Sequence, residues 1–485
     1  MSETDAADRP LDRYDAYENP LAGRYASVAM KRVFSARFRF STWRRLWLAL
    51  AEGEQDLGIP ISDPQLEEIR DNLDTIDFER AAALEKELRH DVMAHIYAFR
   101  EQCPEAGKIL HLGATSCFVT DNSEVVQVRT GLELVLRKVR VVLRNLREFC
   151  LEWKDLPTVG YTHFQPAQFT TVGKRAALWL QDLLEDHRDL SHALAGLKFR
   201  GVKGTTGTQD SFLKLFDGDH GKVLALDRAV AEKMGFDAVW PLTGQTYTRK
   251  QDSRVLAALS GLAQSAGKLS SDIRLLCNLQ EVEEPFGKKQ IGSSAMAYKR
   301  NPMRSERIAA LSRWLISLAQ NAPSTTAAQW MERTLDDSAN RRLTLGEGFL
   351  CADAILELLM NVTSGLVVQE AVVNRHVREQ LPFIASEELL MAAVKDGGDR
   401  QDLHDVIRTA ALDASQQLKA QGGDNTFFER IADHPRLGPA LKRLDRDPGR
   451  FVGRAPQQVT EFVANELDPE LAGHPEETMA DEIAV

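Results

Sequence analysis

Chemistry concentrates in a few short polar stretches of this sequence. The densest is Gln290-Ile-Gly-Ser-Ser-Ala-Met-Ala-Tyr-Lys-Arg-Asn-Pro-Met-Arg-Ser-Glu306. Gly292, followed by Ser293 and Ser294, gives a flexible turn with two hydroxyls. Lys299, Arg300, Arg304 and Arg307 add positive charge over a short span, which suits an anionic ligand. On composition alone the plainer reading has the edge: a basic surface loop ahead of a helix capped near Asn301–Pro302. A second stretch, Gly160-Tyr-Thr-His-Phe-Gln-Pro-Ala-Gln168, sets His163 in a turn marked by Gly160 and Pro166. Hydroxyl and amide neighbours can fix an imidazole tautomer there, although a lone loop histidine is more often structural or solvated. The third, Arg89-His90-Asp91, is followed by His95. That spacing is not the i, i+4 pair of a zinc helix, and no H-E-x-x-H is present, so no metal is expected. A helix surface with an ion pair is the plainer reading. Lys203-Gly-Thr-Thr-Gly-Thr208 lacks the order of a phosphate loop and reads as a turn between helices. Glu332-Arg-Thr-Leu-Asp-Asp-Ser-Ala-Asn-Arg-Arg342 is another dense polar cluster, with three arginines.

Long helices must hold these stretches in place. Asp121 and Glu124 sit three apart, as in a capping box, before an apolar-periodic run that reaches about Trp153 without proline. A second run starts near Thr171, with Ala176, Leu180, Leu183, Leu190, Leu194 and Leu197 at helical spacing. A third starts near Ser253, where Leu259, Leu262, Ala266, Leu269, Ile273 and Leu276 alternate steps of three and four. Such seams belong to helices packed along their length in a bundle. Ser41 to Leu57 also reads as helix, with Trp43, Leu46, Leu48 and Leu50 among its apolar positions. Strand signals are scarce: no alternating β-branched run with a hairpin turn stands out. The first twenty residues read as irregular. The tail after Leu467, acidic and with two prolines, reads as loosely held. The expected fold is all-α, in three parts: an N-terminal helical domain over 1–115, a central long-helix bundle over 116–368, and a C-terminal helical domain over 369–485.

The bulk properties narrow the function. A chain of 485 residues exceeds one compact core. Its formal charge of −11 disfavours nucleic acid as a partner. The five cysteines, Cys103, Cys117, Cys150, Cys277 and Cys351, are scattered and never form C-x-x-C. They point to a reducing, cytoplasmic setting rather than a disulfide framework. The acidic start is no signal peptide, and no apolar run approaches the ~20 residues that span a bilayer, so no membrane is expected.

GSSAMAYKRNPMRSE resembles the signature loop of the fumarase/aspartase superfamily, and its YKRNPMRSE form resembles the adenylosuccinate lyase family in particular. RHDVMAH, GYTHFQPAQ and ERTLDDSANRR agree with that family, and the likeness runs from Gly23-Arg-Tyr-Ala-Ser27 to GRAPQQV at Gly453–Val459. One departure is Ala297, where the family has proline. Without the fixed backbone angle of proline the loop should be more mobile.

The resemblance implies β-elimination of fumarate from adenylosuccinate, and from succinylaminoimidazole-carboxamide ribotide, with no cofactor. It implies Ser293 as the base, acting as an alkoxide, with Ser294 left open as an alternative. Lys299 and backbone N–H groups around Gly292 would stabilise that alkoxide. His163 would be the general acid, His90 its assistant or a ligand-orienting group, and Glu306 an orienter of His90 or Lys299. Arg24, Tyr25, Arg333, Ser338 and Arg342 would hold the nucleotide phosphate and its surroundings. Arg89, Asp91, Thr115, Ser116 and Gln245 would contact base, ribose or succinyl group, with Asn301 and Arg307 in or beside the loop. The family also implies a homotetramer whose active sites are shared between subunits. The rival readings are another lyase of the superfamily, such as argininosuccinate lyase, and a non-catalytic, crystallin-like structural protein.

Overall fold

The apolar seams become long helices. The computed structural model describes residues 15–287, 289–474 and 477. The expected irregular start lies outside these residues up to position 14, as does most of the chain after 474. In chain order the elements that matter here are α1 (Ala36–Asp56), α2 (Phe78–Leu88), α3 (Asp91–Gln102), α4 (Ser116–Glu152), β1 (Pro157–Thr162), β2 (Gln165–Thr171), α5 (Val172–Ala195), α6 (Lys250–Asn278), β3 (Val282–Glu283), α7 (Met303–Ala319), α8 (Asp336–Thr363), β4 (Val367–Val368) and α9 (Glu370–Ile384).

Five of these form the central bundle. α6 packs along α7, α5 and α8, while α4 packs on α5, α8 and α1. The seam read from α6 is its buried face: Leu259, Leu262, Ala266 and Ile273 are fully enclosed. Ala176, Leu180, Leu183 and Leu190 do the same for α5. Inside the bundle the buried Lys138 of α4 is paired with Asp353, at 2.5 Å, and with Glu357, both on α8. A buried charge is tolerated when paired in this way, and the pair fixes the axial register of two otherwise apolar helices. A separate core forms around Leu389, Leu403, Ile407, Phe427 and Leu437 in the C-terminal helices.

The fold is all-α apart from two two-stranded sheets among the described residues, β1–β2 and β3–β4. Three expectations need correction. Asp121 and Glu124 do not cap α4. The helix starts at Ser116 with Thr115 in the cap position, and the two carboxylates serve as ion partners more than a turn inside it. The chain after Leu467 is not loose as far as it is described. Asp468 pairs with Arg147 at 2.7 Å and Glu477 with Arg140 at 2.5 Å, so its acidity complements cations on the bundle; Glu470 lies 3.3 Å from His187. The third correction is a hairpin, described with the site below. No helix among the described residues is long and apolar enough to cross a membrane. All five cysteines are free thiols.

Candidate active site

A cavity of about 800 Å³ opens where the N-termini of α3, α4 and α8 meet. Its walls include Arg89, His90, Asp91, Thr115, Ser116, Gln245, Arg333, Ser338 and Arg342. Four separate chain segments thus converge on one cavity. His90 is the N-cap of α3, preceded by Arg89 in a left-handed conformation (φ 54°) that turns the chain sharply out of α2. The Met93 amide donates to His90 Nδ1 at 3.3 Å, and Nε2 lies 3.4 Å from Ser116 Oγ. In the neutral ring Nδ1 is therefore the acceptor, and Nε2 carries the hydrogen toward the cavity. Asp91 accepts from Arg342 at 3.1 Å. Arg89-His90-Asp91 is thus a cap and ion pair facing a cavity rather than a plain helix surface.

Beneath this wall lies a buried ion network that the sequence did not announce. Arg249 donates to both oxygens of Asp121 at 3.1 Å and to Asp337 at 2.7 Å. Asp337 also accepts from Arg333 at 2.8 Å. Arg341 donates to Asp252 and to the Tyr247 hydroxyl, each at 2.7 Å, and pairs with Glu124 at 2.7 Å. Burial alone would raise the Asp121 pKa, but Arg249 and Arg341 beside it hold the carboxyl below its ordinary value. Arg333 is therefore a cavity cation locked from behind by a fully buried carboxylate. Asp337→Ala should strip Arg249 and Arg333 of a shared partner and destabilise the fold by about 3–5 kcal/mol, measured by denaturant unfolding. A loss below about 1 kcal/mol, the range of exposed pairs, would show that the network is not load-sharing.

The serine loop connects β3 to α7. Its two ends are tied together by Glu284, which accepts from the amides of Arg304 and Ser305 at 3.1 and 3.0 Å and from Ser305 Oγ at 3.0 Å. A carboxylate at the start of a helix satisfies amides that have no partner within it. Gly292 is required here: a Cβ would lie 2.1 Å from the Lys299 carbonyl oxygen. Asn301 Nδ2 donates to the Gly292 carbonyl at 2.8 Å and closes the loop. Ser293 Oγ, half-buried, receives the amides of Ala295 at 3.3 Å and Met296 at 3.1 Å. Ser294 is exposed.

Two expectations shift at this loop. The backbone donors to Ser293 come from the two residues beyond Ser294, not from the Gly292 side. No hydrogen bond among the described residues joins Lys299 to Ser293, or Glu306 to His90 or Lys299. Glu306 stands exposed in the first turn of α7. Arg307, one residue on, places its guanidinium 5.7 Å from the centre of the Tyr25 ring, and Arg24 lies 5.9 Å from it. Arg24, Tyr25 and Arg307 thus form a second cationic group, carried by α7 and the Leu21–Tyr25 turn.

His163 sits at the tip of a hairpin, where the sequence reading saw only a turn. β1 and β2 pair antiparallel as far as Thr162 and Gln165, leaving His163 and Phe164 as the two-residue turn. Both are left-handed, at φ 51° and 56°, the geometry that matches strand twist and that Asn-Gly usually supplies. Two bulky residues there cost on the order of 1–3 kcal/mol each. Val159 and Phe169 anchor the base by packing with Val377, Leu381, Val452 and Ala455. The tip is solvent-facing, with Phe164 55% exposed. Alternation failed as a signal because only the base is buried, so most of the outer positions are polar.

Within one chain the cavity does not take in all of these groups. Neither His163 nor Ser293, Lys299, Asn301 or Glu306 lines the cavity that holds His90 and Arg333.

A lyase family model matches residues 63–315, and a model of the adenylosuccinate lyase C-terminus matches residues 382–462. The adenylosuccinate lyase of Saccharomyces cerevisiae is 51% identical over 463 residues, 94% of this chain and 96% of the yeast protein. That of Schistosoma mansoni is 44% identical, over 95% and 97% of the two chains. Among solved structures, a fumarate lyase from Mesorhizobium sp. BNC1 superposes with a TM-score of 0.78 at 24% identity, covering 93% of this chain and all of that one. This last likeness bears on the fold alone.

Proposed function

The chain belongs to the adenylosuccinate lyase family, and on that premise we propose that Ser293 and His163 are the base and acid of a fumarate-releasing elimination at the His90–Arg333 cavity. The substrates in this reading are adenylosuccinate, giving AMP, and succinylaminoimidazole-carboxamide ribotide, giving the carboxamide ribotide. Ser293 Oγ, as alkoxide, takes a proton from the succinyl carbon next to a carboxylate. The electron pair left behind forms the carbon–carbon double bond of fumarate as the C–N bond breaks. His163, as imidazolium, protonates the departing nitrogen.

The observation that carries the base assignment is the pair of amides on Ser293 Oγ. Hydrogen bonds to the charged form lower the cost of an oxyanion, and a serine hydroxyl needs such help to ionise near neutrality. Lys299 contributes positive charge to the same loop. Arg333, Ser338, Arg342 and the Arg24–Tyr25–Arg307 group supply phosphate and carboxylate recognition. Each charge-assisted contact contributes ~1.5–3 kcal/mol. Glu306 and His90 act as orienting groups, while Arg89, Asp91, Thr115, Ser116, Gln245 and Asn301 complete the binding surface.

The exposed tip of the His163 hairpin supports a homotetramer whose sites take their parts from different subunits. The 116–368 bundle would form its centre, between the 1–115 and 369–485 domains. Free, mostly buried thiols fit a cytoplasmic enzyme.

The purified protein should release fumarate from adenylosuccinate, followed by absorbance, and should do so undiminished in excess chelator. Fumarate from argininosuccinate and none from adenylosuccinate would overturn the substrate assignment.

A further inference from the structure

One buried carboxylate outside the proposed machinery touches the roots of both catalytic segments. Glu281 is 1% exposed and lies between the end of α6 and β3. Its Oε2 accepts from the Thr158 hydroxyl of β1 at 3.4 Å and faces the Arg175 guanidinium of α5 at 3.6 Å. Arg175 in turn donates to the Val159 carbonyl at 2.5 Å. Oε1 lies 2.8 Å from His376 Nδ1 on α9, the helix against which the hairpin base packs. Arg375 lies 3.4 Å from the other ring nitrogen of His376. With that nitrogen accepting, Nδ1–H is the donor to Glu281. The Glu281 backbone carbonyl accepts from Gln369 at 2.8 Å, and the next residue, Val282, starts the strand that feeds the serine loop.

We propose that Glu281 is a positioning residue that fastens the His163 hairpin and the Ser293 loop to one point of the bundle. The inference rests on the roles proposed above for those two residues. The physical case is that a buried carboxylate surrounded by donors from β1, α5 and α9 cannot move without all of them. A neutral amide in its place would set its own N–H groups against at least one of those donors. Both loosened segments would then present their catalytic groups off-line, and displacement of about 1 Å costs on the order of 10²-fold in rate.

The test is Glu281→Gln in the full-length oligomer, with steady-state kinetics and amide hydrogen exchange. The expected result is kcat lower by about 10- to 100-fold with KM within about threefold of wild type. Exchange should quicken in residues 157–171 and 282–283 together. His376→Asn keeps a donor for the carboxylate and should stay near wild type, whereas His376→Leu should repeat the defect. Unchanged kcat in Glu281→Gln overturns the inference. So does a fall in kcat seen only in variants that also lose thermal stability, or faster exchange in one segment alone. Failure of the wild-type chain to release fumarate would instead defeat the lyase reading, and the exchange result would still decide whether Glu281 anchors both segments.

Discussion

Ser293→Ala should lower kcat on adenylosuccinate by about 10²–10⁴-fold while leaving substrate binding measurable and near normal. The hydroxyl is small, half-buried and, among the described residues, bonded to two amides of its own loop. Its loss removes the proton acceptor but none of the cations that would hold phosphate and carboxylate. The fold should not suffer, because Gly292 and Asn301 close the loop without it. Ser294→Ala is the matched comparison: an exposed hydroxyl with no such amides should leave kcat near wild type. Equilibrium binding of substrate to Ser293→Ala, alongside steady-state kinetics of both variants, separates the steps. A large loss of affinity with normal turnover would contradict the base role, and a dead Ser294→Ala beside an active Ser293→Ala would transfer it to the neighbour.

His163→Ala should cost a similar factor, about 10²–10⁴-fold, in both elimination reactions. Each expels a nitrogen that leaves readily only when protonated, and in the proposed mechanism one imidazole serves both. Stability should hardly change, within about 0.5 kcal/mol, because the side chain is exposed at a hairpin tip. His163→Gly sharpens the point. Glycine adopts the left-handed backbone at φ 51° without strain, so this variant should be at least as stable as wild type and equally inactive. Loss of only one of the two reactions would argue against a shared acid.

Much of the architecture was legible because helix burial repeats with a fixed period. Leu259, Leu262, Ala266 and Ile273 must share one face of any helix, and that face must be covered. Motif-bearing residues His90, Ser116, Gln245, Arg333 and Arg342 also line one cavity. What stayed hidden depends on contacts between distant segments. Asp121 and Glu124 looked like a cap because a carboxylate near a helix start usually is one. Their true partners, Arg249 and Arg341, lie more than a hundred residues away, and no local spacing reveals them. The hairpin escaped because its strands bury just Thr158, Val159, Phe169 and Thr171 at the base, two of them threonines and two of them adjacent, so no apolar alternation shows. Its turn is also built from His163 and Phe164 rather than from turn-forming residues. Glu281 had no local signal, being one acid among several in Glu281-Val-Glu-Glu284.

In the proposed oligomer, base and acid reach one nucleotide from different chains; neither lines the cavity of its own chain. Co-expressing Ser293→Ala and His163→Ala chains with different tags, then isolating the mixed oligomers, tests this directly. If base and acid at each site come from different chains, some sites regain both groups, and activity should return to as much as about a quarter of wild type at equal random mixing. If one chain supplies both, every site in the mixture keeps a defect. Isolated mixed oligomers as inactive as either parent would contradict the account.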